Sequence, residues 1–211
     1  MPDRSVIPFD RNGVRGYLQQ PEVASGRGLV LTHGARGNCG APLLVAVADA
    51  FCGVGMTVLR CDLPFRQRRP SGPPSPGSAA ADRVGLRNAV SALREFLDGP
   101  IYLGGHSYGG RQASMLAADE PDITTALLLL SYPLHPPAKP EQLRIQHFPR
   151  LKVPSVFVHG TKDGFGAIPE LQTAIAEIAA PCRLIPIENA GHDLKRGRFD
   201  LTPIVDALEG R

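Results

Sequence analysis

The chain has 211 residues, with 43% hydrophobic and 20% charged residues and a formal net charge of +3. These values suit one soluble globular domain, expected over residues 1–211, with enough length for a sizeable core. The charge is too small to indicate a nucleic-acid partner, and no apolar run approaches the roughly 20 residues that span a bilayer.

The first part of the sequence predicts a β-hairpin followed by alternating strands and helices. The hairpin, with arms over Val6–Phe9 and Gly13–Gln19, is predicted around Asn12-Gly13, because this dipeptide favours a tight turn between two strands. The elements predicted after it are a strand over Gly28–Thr32, a glycine-rich turn over His33–Gly40, a helix from Pro42 to about Cys52, and a strand over Gly55–Arg60.

The segment from Pro64 to Gly77 is too rich in proline and glycine to predict regular structure, and we expect it on the surface. It contains the one basic cluster of the chain, Arg66-Gln-Arg-Arg69. Without interleaved aromatic residues this cluster favours a solvated loop over a phosphate-binding patch.

The second part of the sequence continues the same alternation. Helices are predicted over Ala79–Leu97, Tyr108–Ala118, Ile168–Ala179 and Thr202–Leu208, and strands over Ile101–Leu103, Thr125–Ser131, Val153–His159 and Cys182–Ile187. Strands that are apolar throughout are typical of sheets buried on both faces. The pattern predicts an α/β fold with a mostly parallel central sheet and helices on both faces.

A short glycine-rich stretch, G-H-S-Y-G over Gly105–Gly109, joins one of these strands to a small-residue helix. A strand, a G-x-S-x-G turn and a helix form the context of a nucleophile elbow, which exposes the serine hydroxyl at the end of the sheet. Glycines are needed there because helix and strand approach closely. The motif alone is equally compatible with an ordinary turn, so its interpretation depends on the partners of Ser107.

A serine nucleophile needs a histidine base and an acid that orients the base, and in this kind of fold the chain order is serine, acid, histidine. Asp163 follows a predicted strand, and His192 follows the next one, so both belong to loops at the edge where the elbow lies. The other downstream histidines, which are less suitable because they lie in loops or end a buried strand, are His135, His147 and His159. The competing acids Glu188 and Asp193 are too close in sequence to His192 to brace it.

An oxyanion hole needs two N–H donors, one of them from the loop after an early strand. The backbone N–H groups of Ala35 and Tyr108 are the candidates, and His33 is expected to brace the loop through its ring nitrogens. A plain glycine turn with a structural histidine remains an alternative. A phosphate-cradling loop over His33–Gly40 is a further one, although neither G-x-x-x-x-G-K-[ST] nor G-x-G-x-x-G is present.

These stretches resemble the α/β-hydrolase superfamily in its small dienelactone-hydrolase-like subset. The likeness is greatest to the group that contains the testis-expressed hydrolase-like proteins and the hydrolase-like subunit of a chromatin acetyltransferase complex. The residues that carry it are Leu31–Asn38, Leu103–Arg111, Leu130–Pro137, His147–Pro154, Val158–Gly166 and Ala190–Lys195. The resemblance implies Ser107 as nucleophile, Asp163 as acid and His192 as base.

The elbow departs from that group, where arginine usually precedes the serine and methionine follows it. Here the two positions are His106 and Tyr108, as in ordinary esterases, which favours hydrolysis and weakens the transfer of a chromatin-related role. Between Leu130 and Pro154 only a short proline-rich connection stands where many hydrolases insert a lid, so we expect little or no lid. The candidates for lining the substrate pocket are His33, His106, Tyr132, His135 and Phe165. For Tyr132, His135 and Phe165, core or loop packing is at least as good an interpretation.

The sequence therefore predicts a serine hydrolase that cleaves small-molecule carboxylic esters or related acyl compounds without a cofactor. The alternative is a hydrolase-fold binding or scaffold protein that performs no catalysis. The four cysteines show no zinc-type spacing, so no metal is expected. We also expect a monomer or homodimer, and a cytoplasmic location because the N-terminal stretch lacks the apolar core of a secretion signal.

Overall fold

A computed structural model of the chain describes residues 5–75 and 77–210. Residues 1–4 of the N-terminal stretch and Pro76 of the proline-rich segment, both interpreted above, lie outside the described residues, as does Arg211. The described strands form one eight-stranded sheet in the order β1-β2-β4-β3-β5-β6-β7-β8. They are β1 (Val6–Arg11), β2 (Val14–Gln19), β3 (Gly28–Thr32), β4 (Thr57–Asp62), β5 (Ile101–His106), β6 (Leu127–Leu130), β7 (Ser155–Gly160) and β8 (Cys182–Ile187).

The sheet is parallel from β4 to β8, and the hairpin β1–β2 extends it with antiparallel pairing. Each parallel strand is apolar because both of its faces are covered: all four residues of β6 are buried leucines. Parallel strands place their carboxyl ends at one edge of the sheet. The loops that follow β3, β5, β6, β7 and β8 therefore meet at that edge.

Helices cover both faces of the sheet and divide the interior into two apolar layers. The helices are α1 (Pro42–Gly53), α2 (Pro64–Arg68), α3 (Ser78–Arg94), α4 (Tyr108–Asp119), α5 (Ile168–Ile175) and α6 (Thr202–Leu208). Buried residues of α3, α4 and α5 belong to one layer, and those of α1 and α6 to the other. The predicted α/β class, with a mostly parallel sheet between two layers of helices, is confirmed.

The prediction of irregular surface structure from Pro64 to Gly77 is wrong in its first part. Pro64–Arg68 is a helical turn, α2, in which Phe65 and Arg66 are buried. Proline is compatible with the first turn of a helix, because the N–H that it lacks would have no partner there. Pro64 packs on α3 at Gly85, where an added Cβ would lie 2.5 Å from the proline ring.

No helical lid stands over the carboxyl edge among the described residues. The connection from Ser131 to Pro154 contains only the short 3-10 turn Phe148–Arg150, as the sequence predicted. Within residues 5–75 and 77–210, no helix combines the length and the apolar character needed to cross a membrane.

Candidate active site

Ser107 lies in the tight turn that joins β5 to α4. Its backbone has φ 52° and ψ −118°, a conformation that residues other than glycine rarely adopt. The turn is held by hydrogen bonds on both sides: the Ser107 N–H donates to Leu130 O (2.8 Å), and the Arg111 N–H donates to Ser107 O (3.0 Å). The strained backbone is therefore fixed by the end of β6 and by the first turn of α4.

The glycines around Ser107 allow the backbone to pack closely. A Cβ on Gly105 would lie 2.9 Å from the Gly110 nitrogen, and a Cβ on Gly109 would lie 2.5 Å from His33 O. Carbon atoms do not approach backbone atoms this closely without displacing them. The elbow motif is thus a set of close contacts between β5, α4 and the loop after β3, as the steric interpretation of the sequence predicts.

Asp163, His192 and Ser107 form a continuous chain of hydrogen bonds. Asp163 lies in the loop after β7 and His192 in the loop after β8, both at the carboxyl edge of the sheet. His192 Nδ1 is 2.8 Å from Asp163 Oδ2, and His192 Nε2 is 2.8 Å from Ser107 Oγ. Because the carboxylate only accepts, Nδ1–H donates to Asp163, and Nε2 is left to accept from the serine hydroxyl.

The Asp163 carboxylate is fully buried and is held by more than the base. Its Oδ1 accepts from the Phe165 N–H at 2.9 Å, and His159 Nε2 lies 3.6 Å from Oδ2. Burial alone would raise the pKa of Asp163, but the hydrogen bond and charge of His192, together with the Phe165 N–H, outweigh it and lower that pKa. The carboxylate is therefore ionised at neutral pH and stabilises positive charge on His192.

Two aromatic rings lie against the imidazole of His192. The Phe165 ring centroid is 4.1 Å away at an interplanar angle of 30°, and the His106 ring centroid is 5.1 Å away at 49°. His106 also donates from Nε2 to the backbone oxygen of His192 (2.7 Å). Burial lowers the pKa of His106 to about 4, so this ring is neutral and retains its single N–H for that bond.

The loop after β3 packs directly on the nucleophile. A Cβ on Gly34 would lie 2.9 Å from His106 Nδ1 and 3.3 Å from Ser107 Cβ, so only glycine fits. Gly34 O accepts from the Gly37 N–H (3.0 Å) and from His33 Nδ1–H (2.8 Å). The other ring nitrogen of His33 accepts from the Leu63 N–H (3.1 Å), so the structure gives this histidine the bracing role predicted for it.

Arg66 holds the same loop from the side of α2. Its guanidinium donates to Gly37 O (2.7 Å) and Ala35 O (3.1 Å), and also to Arg69 O and Gly72 O. Only 5% of the residue is exposed, so the prediction that the basic cluster is a solvated loop is wrong for Arg66. This role of Arg66 has no sequence signal, because its partners are backbone carbonyl oxygens, which every residue possesses.

Tyr108 connects the elbow to α3 through a buried carboxylate. Its hydroxyl donates to Asp82 Oδ2 (2.7 Å), while Asp82 Oδ1 accepts from the Phe65 N–H (3.1 Å). Asp82 is fully buried in α3 and is a second residue that sequence patterns did not reveal. Through it, the position after the nucleophile is tied to α2 and hence to Arg66.

The remaining predicted pocket residues do not all reach the site. His33 and Tyr132 are 0% and 1% exposed and pack in the interior, which is the alternative that the sequence left open for them. His135 is 6% exposed and bonds to Pro136 O, whereas His106 and Phe165 lie against the imidazole of His192. Within the described ranges, no group of three or more His, Cys, Asp or Glu residues is arranged to hold a metal ion.

The sheet order and the elbow geometry define an α/β-hydrolase fold. The family model described as an alpha/beta hydrolase domain matches residues 25–202, and the chain belongs to this family. The fold is therefore the one that the resemblance predicted; the narrower testis-expressed group is not established by this match.

Solved structures of hydrolases share the fold at low sequence identity. An alpha-beta serine hydrolase homologue from Coxiella burnetii matches with a TM-score of 0.73 and 15% identity, covering 97% of each chain. A dienelactone hydrolase from Anabaena variabilis matches with a TM-score of 0.71 and 20% identity, covering 99% of this chain and 96% of its own. A serine hydrolase without a lid from Xanthomonas campestris matches with a TM-score of 0.69 and 16% identity, covering 100% of this chain and 94% of its own.

Proposed function

We propose that the protein is a serine hydrolase that cleaves carboxylic esters or related small acyl compounds through an acyl-enzyme. The observation that carries this proposal is the unbroken hydrogen-bond chain from Asp163 through His192 to Ser107 Oγ, with both histidine contacts at 2.8 Å. A binding or scaffold protein does not require a strained serine, an oriented base and a buried carboxylate joined by hydrogen bonds. No cofactor enters the chemistry.

In the first half of the reaction, Ser107 Oγ attacks the ester carbonyl carbon while His192 Nε2 accepts its proton. The positive charge that this creates on the imidazole is stabilised by Asp163, which remains ionised. The tetrahedral intermediate then collapses: the bond to the leaving oxygen breaks, and His192 returns the proton to that oxygen. The acyl group stays on Ser107, and a water molecule activated by His192 cleaves it by the reverse sequence.

The oxyanion formed in these steps is assigned to the N–H groups of Ala35 and Tyr108. Tyr108 is the first residue of α4, so its N–H has no acceptor within the helix. In a trans peptide the C=O and the following N–H point in opposite directions. Because Gly34 O is directed into the loop toward His33 and Gly37, the Ala35 N–H is directed out of it, and Gly34 packs on Ser107.

The absence of a helical lid among the described residues supports small or flexible substrates, or the accessible end of a larger one. We place the chain in the compact dienelactone-hydrolase-like subset, with the testis-expressed hydrolase-like proteins as its proposed relatives. The proposal also keeps the expected cytoplasmic location and a monomeric or homodimeric state. Lactones and thioesters would be cleaved by the same acyl chemistry, and the test of Ser107 that follows applies to them as well.

The test is hydrolysis of short 4-nitrophenyl esters together with labelling by a fluorophosphonate probe. We expect turnover and labelling in the native chain and neither in Ser107→Ala, while Ser91→Ala, which changes an exposed serine of α3, behaves as the native chain. Labelling that persists in Ser107→Ala would refute the assignment of the nucleophile. No labelling of a folded native chain, together with a stably co-purifying protein partner, would favour the scaffold alternative.

A further inference from the structure

The ring of Phe165 lies flat against the imidazole that joins Asp163 to Ser107, and the reaction described above gives this ring no role. The centroids of the Phe165 and His192 rings are 4.1 Å apart, and the ring planes differ by 30°. At this distance and angle the phenyl ring turns its face toward the imidazole, and the face carries the negative part of the ring's quadrupole. Phe165 is therefore placed to act on the base itself.

Hydrogen bonds fix the backbone of Phe165 on both sides. Its N–H donates to Asp163 Oδ1 (2.9 Å), and its carbonyl accepts from the His135 N–H (3.1 Å). The carbonyl of the next residue, Gly166, accepts from His159 Nε2–H (2.9 Å). The short loop that positions the acid therefore also positions the ring, so the carboxylate and the phenyl face reach the base together.

The charge on His192 changes during the proposed reaction. When Nε2 accepts the proton of Ser107, the imidazole becomes a cation. A cation within about 6 Å of an aromatic ring face is attracted by the quadrupole of that ring, and the attraction grows where water is excluded. The side chain of His192 is only 25% exposed. The face of Phe165 therefore favours the charged imidazole of the transition state over the neutral imidazole that precedes it.

The other groups near His192 act on it in different ways. Asp163 is an ion partner at Nδ1 (2.8 Å), and burial lowers the pKa of His159, the neutral histidine 3.6 Å from that carboxylate. The His106 ring is 5.1 Å away and tilted by 49°, and its Nε2–H donates to the backbone of His192. The side chain of Asp193 is 62% exposed, so solvent screens its charge. The stacked ring face is thus a contribution separate from those of the ion partner and the backbone donor.

We propose that Phe165 is a positioning residue whose ring face keeps the His192 imidazole directed at Ser107 and stabilises the positive charge that this imidazole gains. The inference rests on the proposed hydrolase function and adds to it a residue that acts through the base. The interpretation of Phe165 as a pocket residue predicts instead a contact with the acyl or alcohol part of the ester. The two roles can be separated, because only the first depends on the electron density of the ring.

The first experiment replaces Phe165 by phenylalanines that carry one, two or three fluorine atoms on the ring. Each fluorine withdraws electron density from the ring face while the size of the side chain hardly changes, so the attraction for a cation falls stepwise. We expect kcat for 4-nitrophenyl acetate to fall stepwise as well, by about 3- to 30-fold over the series, at nearly constant KM. The same series at Phe96 is the control: this ring lies 5.5 Å from the Arg11 guanidinium, between α3 and the start of β5, at the amino edge of the sheet.

The second experiment uses natural side chains. Phe165→Leu keeps an apolar side chain without a ring face and should lower kcat by about tenfold, whereas Phe165→Tyr keeps the ring and should retain most of the activity. Phe96→Leu is the matched control, and circular dichroism checks the fold of each variant. The variants are compared on 4-nitrophenyl acetate, butyrate and octanoate. The loss in Phe165→Leu should be the same for all three esters, because the charge gained by His192 does not depend on the acyl length.

A kcat that stays constant over the fluorinated series at Phe165 would overturn this role and leave the hydrolase standing. A loss in Phe165→Leu that then varied with the acyl length would assign the ring to the substrate instead. If no ester is hydrolysed and no probe labels the folded native chain, the proposed function fails, and the contact is decided by NMR of the His192 ring. The pH at which its signals report protonation should fall stepwise over the fluorinated series if the ring face stabilises the cation, and a constant value would refute the proposal.

Discussion

Replacement of Arg66 by alanine should disable the site without touching any reacting atom. The guanidinium donates to four backbone carbonyls, and two of these, Ala35 O and Gly37 O, belong to the loop whose N–H is assigned to the oxyanion. Alanine leaves that loop without its support from α2. The backbone at Ala35 and Gly37 then keeps only the bonds that Gly34 O makes with the Gly37 N–H and His33, so the Ala35 N–H can shift relative to Ser107.

The expected losses of stability and of activity follow from those contacts. A hydrogen bond to a charged group contributes roughly 1.5–3 kcal/mol, but water replaces much of what the four carbonyl oxygens lose in the alanine variant, so we expect a net loss of about 3 kcal/mol in unfolding free energy. For a chain of this length that corresponds to a Tm lower by about 6–12 °C. Removal of one oxyanion donor costs about 100- to 1000-fold in kcat, and we expect about 10- to 100-fold for a donor that is displaced but present.

The assay is the kinetics of a short 4-nitrophenyl ester together with thermal unfolding, for Arg66→Ala and Arg68→Ala. Arg68 is the control because it is an exposed arginine on the same helical turn. The loss should fall on kcat more than on KM, since the oxyanion exists only in the transition state. If folded Arg66→Ala retained the kcat of Arg68→Ala, the positioning role of Arg66 would be wrong.

Three further outcomes are expected. Gly34→Ala should lower kcat at least tenfold at unchanged fold, measured by ester kinetics and circular dichroism, because its Cβ would lie 2.9 Å from His106 Nδ1. His106→Ala should reduce kcat by roughly tenfold through loss of the bond to His192 O, with partial rescue by His106→Gln. The pKa of Asp163 is lowered in the folded protein, so the stability that Asp163 contributes is present above its unfolded pKa of about 4 and is lost as the pH falls through its folded pKa. The difference in unfolding free energy between the native chain and Asp163→Asn should therefore shrink on acidification. A difference that grew would contradict this reasoning.

The sequence contains most of what fixes the sheet and the hydrogen-bonded chain of Asp163, His192 and Ser107. Continuous apolar runs such as Leu127–Leu130 identify buried parallel strands, and parallel strands bring the loops after them to one edge. The order serine, acid, histidine then selects His192 and Asp163 from several candidates. Cys182–Ile187 and Thr202–Leu208 are observed with the predicted bounds. By contrast, the helix from Ile168 ends at Ile175, four residues before its predicted end.

What could not be predicted is the support around the site, because it depends on backbone acceptors and on packing between distant segments. Arg66 binds carbonyl oxygens, which every residue possesses, and Asp82 becomes a buried acceptor only when α2 packs on α3. The charge pattern of the sequence predicts a solvated position for Arg66, which is buried in the structure. For Tyr132 the sequence leaves core packing and substrate contact open; in the structure its ring fills the core and its hydroxyl donates to Arg144 O.

The two elbow residues that differ from the proposed relatives each have a defined partner in this chain. His106 holds the backbone of His192, the residue that must face Ser107, and Tyr108 binds Asp82, which anchors the turn that carries Arg66. Methionine in place of Tyr108 would have no donor for Asp82, and arginine in place of His106 would introduce a positive charge where the present side chain is neutral. The side chains on either side of the nucleophile therefore connect the base and the oxyanion loop to the elbow. Such a connection would keep Ser107, His192 and Ala35 aligned for catalysis, and it therefore adds to the support for the proposed hydrolase function.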